Sequence, residues 1–160
     1  MDRLTAAVSG APAAGRRHAI VPHTADAGFT AVAPTLPGLF EEAAVALAEM
    51  TADVAGDSEP TSWSEFDLEA PDLPALAFDW LNALIGEGEI RRGVLVTVAG
   101  LVLDAPTSPR AAWRLRARAG FRDFGLPGVL MRRPPKSATF HGLAVQPGPD
   151  GWTMIAYLDM

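Results

Sequence analysis

Hydrophobic positions recur along this chain with two periods, and the switches between them mark its elements. Ala19–Val21 is a short apolar run before Pro22, Phe29–Ala33 is another, and the polar stretch His23-Thr24-Ala25-Asp26-Ala27-Gly28 lies between them. Both runs read as strands flanking a loop. From Thr35, a suitable cap, the spacing becomes helical: Leu36, Leu39, Phe40, Ala43, Leu47 and Met50 share one face, while Glu41, Glu42 and Glu49 lie elsewhere. Gly56, Ser58 and Pro60 make 55–61 a loop. At Ser62 the period drops to two, with Ser64, Phe66 and Leu68 on one side and Glu65, Asp67 and Glu69 on the other. Asp72 can cap a second helix whose stripe is Leu73, Leu76, Ala77, Trp80, Leu81, Leu84 and Ile85, with a stop expected at Gly86 or Gly88. The rest reads as strands: Val94–Val98, Leu101–Leu103, Ala112–Ala119, Ala138–Val145 and Trp152–Leu158, the last two joined by Pro147-Gly148-Pro149-Asp150-Gly151. The pattern predicts an α+β domain of two amphipathic helices packed on one mixed or antiparallel β-sheet.

Composition narrows this picture without redrawing it. A chain of 160 residues suits a single domain, and the expected division is a flexible tail over residues 1–15 and a folded domain over 16–160. No apolar run approaches the roughly 18 residues of a membrane span, and the first 15 residues lack the apolar core of a signal peptide. Having no cysteine, the chain has no disulfide, thiolate nucleophile or cysteine-based zinc site, which fits a cytoplasmic protein. The net charge of −6 conceals an asymmetry: residues 41–89 hold 13 acids and no Lys or Arg, whereas residues 90–136 hold 10 basic residues against Asp104 and Asp123. Such halves either present two surfaces of opposite sign or neutralise each other, and mutual neutralisation is the simpler reading.

Familiar catalytic devices are absent. The sequence has no GxxxxGK[ST] phosphate loop, no GxSxG nucleophile elbow, and neither HxxH nor HExxH. Two places can still carry chemistry. One is His23–Gly28, where Asp26 either closes an Asx-type turn or offers a ligand, and His23 is either an ordinary half-buried imidazole or a partner to it. The other is Asp159-Met160, where a strand carries an acid and then the α-carboxylate. Were Asp26 to meet them, repulsion between the carboxylates would call for a proton, a basic side chain or a hard divalent cation. Calcium suits an all-oxygen site best; zinc or manganese would need His23. Arg114, Arg116 and Arg118 alternate along one strand face, as an RNA-backbone stripe would, or as partners to Glu65, Asp67 and Glu69. Pairing is the plainer expectation. Trp80, Trp113 and Trp152 are expected in the core.

Four stretches in order resemble archease, a family of small proteins associated with tRNA splicing. His23–Phe29 (HTADAGF) is similar to its HTAD-x-G motif, and Asp72–Ile85 (DLPALAFDWLNALI) to its second-helix signature. Lys136–Leu143 (KSATFHGL) resembles its Lys-x-x-Thr-Tyr-His strand, and Leu158-Asp159-Met160 its terminal Asp-aliphatic pair. The resemblance covers about residues 17–160. It implies a metal site formed by Asp26, Asp159 and the main chain of Met160, with His23, Asp72, Lys136 and His141 as further candidates. It also implies a partner, the GTP-dependent RNA ligase that joins 3′-phosphate or cyclic-phosphate ends to 5′-hydroxyl ends. The accessory would promote that ligase's guanylylation and repeated turnover without making the bond itself. A chaperone-like role toward other partners and, more remotely, a metal-dependent hydrolase are the alternatives. The sequence departs from the family pattern at Gly120-Phe121-Arg122-Asp123 and the Gly/Pro/Arg loop after it, where Gly-Glu followed by an acid and a His is usual, and at Pro74, where an acid is usual.

Overall fold

A computed structural model describes residues 15–22, 26–56 and 58–160. Among these it has nine strands and two helices. Strands β1 (Arg17–Pro22) and β2 (Asp26–Ala33) precede helix α1 (Leu36–Thr51), then come β3 (Ala52–Val54) and β4 (Ser62–Ala70). Helix α2 (Leu73–Arg91) leads into β5 (Gly93–Asp104), β6 (Trp113–Asp123), β7 (Val129–Met131), β8 (Ser137–Gly148) and β9 (Gly151–Asp159). The α+β expectation holds, but the strands form three sheets rather than one: β1-β2-β9-β8, β4-β6-β5 and the small pair β3-β7. Every pairing is antiparallel.

Both helices lie between the four-stranded and three-stranded sheets, α1 against β1, β2, β9 and β5, and α2 against β8, β4, β5 and β6. This corrects the amphipathic reading of α1. From Leu39 to Ala48 every residue but Glu41 is buried, Glu42 included. A helix covered on two sides has no wide polar face, and its alanines (43, 44, 46 and 48) let the sheets approach closely. Thr35 caps α1 by accepting from the Gly38 amide at 3.1 Å. Asp72 caps α2 by accepting from the Ala75 amide at 2.8 Å. Helix α2 does not stop at Gly86 or Gly88; it runs to Arg91 and ends on Arg92 in the left-handed region (φ 50°). Its neighbours supply packing that offsets the roughly 1 kcal/mol helix penalty of each glycine.

Trp80 ties the layers together. It is buried, its indole donates to the Phe40 carbonyl of α1 at 3.0 Å, and its ring meets Phe66 of β4 edge-on at 5.3 Å. Trp113 and Trp152 pack against the same core, as expected, whereas Trp63 is exposed. The two expected strands Val94–Val98 and Leu101–Leu103 are one strand, β5, whose register breaks between Ala99 and Val102. No described helix is long and apolar enough to cross a membrane.

Opposite charges pair locally on the surface rather than forming two separate faces. Arg91 pairs with Glu87, Arg114 with Asp67 and Arg132 with Asp53, each joining the basic half to the acidic half. On the outer face of β6 the pairing is not the simple register partnership expected. Arg114 grips Asp67 with two bonds (2.8 and 2.6 Å), Arg116 turns to Asp104 at 3.0 Å, and Arg118 lies over the Trp63 ring at 4.6 Å.

Candidate functional site

The β2–β9 register sets Asp26 directly opposite Asp159. Asp159 is in turn opposite Ser137 on β8. In an antiparallel ladder such partners point to one face, with β-carbons about 5 Å apart. Three residues from three strands thus form one row across the sheet's outer face, away from the helices. Two carboxylates at that spacing repel by about 3 kcal/mol at an effective dielectric near 20. Oδ1 of Asp26 is buried, while Asp159 is exposed, so the pair is sunk on one side and open on the other.

The main chain around Asp159 is held from the segment just before β8. The Lys136 amide donates to the Asp159 carbonyl at 2.7 Å, and the Arg133 guanidinium donates to the Met160 main-chain oxygen at 3.0 Å. Lys136 therefore borders the row through its backbone, its side chain exposed. Among the described residues no group of three His, Asp or Glu side chains is placed to hold a metal ion, so any cation here would rest on the two aspartate carboxylates and main-chain oxygen. That donor set, all oxygen, fits a hard cation such as calcium.

Of the other candidates, none is placed in this row among the described residues. His23 lies outside the described residues. Asp72 is committed to its helix cap, as its 2.8 Å bond shows. His141 is exposed within an irregular stretch of β8, between Thr139 and Ala144, where the register with β9 breaks. Four positions beyond Ser137 along a strand is on the order of 13 Å, so His141 does not share the Asp26–Asp159 row.

Three residues that sequence reasoning passed over shape the site's surroundings. Tyr157, the only tyrosine, lies on the outer face between two glycine backbones. A Cβ on Gly28 would stand 2.9 Å from its Cδ1, and one on Gly142 2.7 Å from its Cε2. Gly142 also has φ +71°, which disfavours any side chain. Asn82 brackets Ala138 from α2, accepting from its amide at 2.9 Å and donating to its carbonyl at 3.4 Å. One side-chain amide thus closes part of the β8 edge, where a neighbouring strand would otherwise be needed.

A second charged cluster lies on the opposite, inner face. His18 of β1 stands between Glu42 (Nδ1 to Oε1, 2.7 Å) and Glu49 (Nε2 to Oε2), and Arg16 binds Glu42 at 3.1 Å and Glu41 at 2.8 Å. Burial disfavours the charged imidazole, but the Glu42 and Glu49 hydrogen bonds and charges outweigh it and raise the His18 pKa above its usual 6.5.

The sequence matches the profile of the Archease protein family (MTH1598/TM1083) over residues 18–160. It is 36% identical over 152 residues to the protein archease of Methanosarcina mazei, covering 93% of this chain and 99% of that one. It is 26% identical over 146 residues to the protein archease of Methanosarcina barkeri, covering 91% and 97%. Its fold is similar to Methanobacterium thermoautotrophicum protein 1598 (TM-score 0.72, 23% identity, 89% and 98% covered). It also resembles an archease and "possible chaperone" from Thermotoga maritima (TM-score 0.54, 18% identity, 88% and 94% covered).

Proposed function

Because this chain belongs to the archease family, we propose that it is a metal-binding accessory protein that activates a GTP-dependent RNA ligase of the 3′-phosphate/5′-hydroxyl type. The observation that carries the reading is the pairing of Asp26 with Asp159 beside the Met160 main-chain oxygen. These three residues would hold a divalent cation, calcium by donor chemistry. When bound, the cation would supply positive charge between the two carboxylates and so stiffen the end of the β2–β9 ladder. The chain's own residues do the rest: the Lys136 amide, just before β8, holds the Asp159 carbonyl, and Lys136 leaves its ammonium exposed at the margin of the site. A partly exposed carboxylate row next to a lysine suits contact with another macromolecule, and the sequence's lack of a phosphate loop or nucleophile elbow suits an accessory that leaves the chemistry to its partner.

A turnover assay tests the proposal. Purified ligase, GTP and an RNA bearing 3′-phosphate and 5′-hydroxyl ends are incubated with and without this protein, and ligation is followed past one product per enzyme. The expected result is multiple turnovers only when the protein is present, lost with Asp159→Asn. Failure to stimulate at any stoichiometry would favour the second reading, a chaperone-like module for other partners. That reading draws on the description of the Thermotoga maritima protein as a possible chaperone.

A further inference from the structure

The five residues between β7 and β8, Arg132-Arg133-Pro134-Pro135-Lys136, form a short strap whose neighbouring arginines do different things. Arg132 reaches back to Asp53 of β3 at 2.6 Å. Arg133 reaches forward to the Met160 main-chain oxygen at 3.0 Å. Pro134 and Pro135 wall an apolar cavity of about 130 Å³ lined also by Leu47, Leu84, Phe121 and Phe124, and Pro135 is buried there. Each proline fixes its own φ and biases the preceding residue to an extended backbone, so Arg133 has little freedom at its base. At the far end the Lys136 amide is bonded to the Asp159 carbonyl. The Arg133 arm is therefore delivered to the site by a strap fixed on both sides.

Met160 oxygen is one of the few donors the proposed cation would have, and the cationic Arg133 guanidinium already donates to it. Cation and arginine cannot share that oxygen cheaply. We propose that Arg133 is a built-in competitor for the divalent-cation site, so that the site fills in response to cation concentration instead of standing permanently loaded. The inference rests on the metal site of the preceding section. A single and a double positive charge about 6 Å apart repel enough, even at the dielectric of water, to weaken binding by about tenfold.

Calorimetric titration of the full chain with calcium chloride at low ionic strength tests this, using wild type, Arg133→Gln and Arg132→Gln. Both substitutions remove one exposed charge from adjacent positions, but only Arg133 touches the site. The expected result is about tenfold tighter calcium binding for Arg133→Gln and a change of less than about twofold for Arg132→Gln. In the wild type, the Arg133 side-chain Nε–H resonance should shift along the same isotherm, with that of Arg132 unmoved. Equal or weaker binding by Arg133→Gln, with wild-type binding intact, overturns the competition and leaves the metal reading standing. No calcium binding by either wild type or Arg133→Gln overturns the metal reading itself, and the competition with it.

Discussion

Asp26 and Asp159 are separated by most of the chain and yet stand as direct partners in the β2–β9 ladder. Carboxylates at that spacing repel, and the proposed cation would turn the repulsion into a link between strands. Calcium at about 100 times its dissociation constant should therefore stabilise the protein by about 2.7 kcal/mol, or about 8 °C in Tm. A thermal-shift titration measures this directly. Asp159→Asn, at an exposed position, should fold normally and show no calcium response; a full response would place the cation elsewhere.

The inner-face cluster makes a pH prediction. His18 has a raised pKa in the folded state, so its contribution to stability is complete below the unfolded value near 6.5 and is lost as pH rises through the folded value. Urea denaturation at several pH values should show stability falling across that alkaline-going window. His18→Gln should flatten the fall and cost about 2 kcal/mol at pH 6, because it leaves partly buried glutamates with less positive charge. An unchanged slope in the variant would remove His18 as its source.

Gly142→Ala should be among the most damaging of conservative changes. Its φ of +71° penalises a side chain, and the new methyl would press on the Tyr157 ring. The expected loss is about 3 kcal/mol, combining backbone strain with overpacking. Adding Tyr157→Ala should recover the packing share but not the strain, so the double variant should be less unstable than the two separate losses summed. Strict additivity would show that the contact with Tyr157 is not what matters.

Asn82→Leu keeps the helix-forming character of α2 while removing its grip on Ala138. A loss of about 2 kcal/mol is expected, since both an amide and a carbonyl of β8 lose their partner. Hydrogen exchange at the Ala138 amide should accelerate more than exchange in β6. Uniform acceleration across the molecule would mean that Asn82 supports the whole fold rather than this edge.

Much of this architecture is legible in the sequence because local chemistry and global packing agree. Thr35 and Asp72 cap the helices they precede, and the alternation from Ser62 is strand β4. The misses have physical causes. Leu36–Met50 carries a helical stripe, but small residues on the remaining faces hide from periodicity that a second layer covers them. Strands β3 and β7 are three residues each, too short to show any period. Gly86 and Gly88 look like a stop because helix propensity is local, whereas the packing that carries α2 past them is not. At the site, the acids can be nominated from sequence, but their meeting is a matter of register over a long separation, which no local pattern encodes. Arg133 and Asn82 were invisible for the same reason: each acts on backbone far away in sequence.

The position of β9 inside its sheet, between β2 and β8, has a consequence for how the protein is made. During synthesis β2 emerges early with one edge awaiting a partner that is translated more than a hundred residues later. Until then the nascent chain carries an open, hydrogen-bond-hungry edge and a half-covered α1, both liable to pair with the wrong neighbour. The core and the carboxylate row are therefore complete only once this late strand has taken its place between β2 and β8.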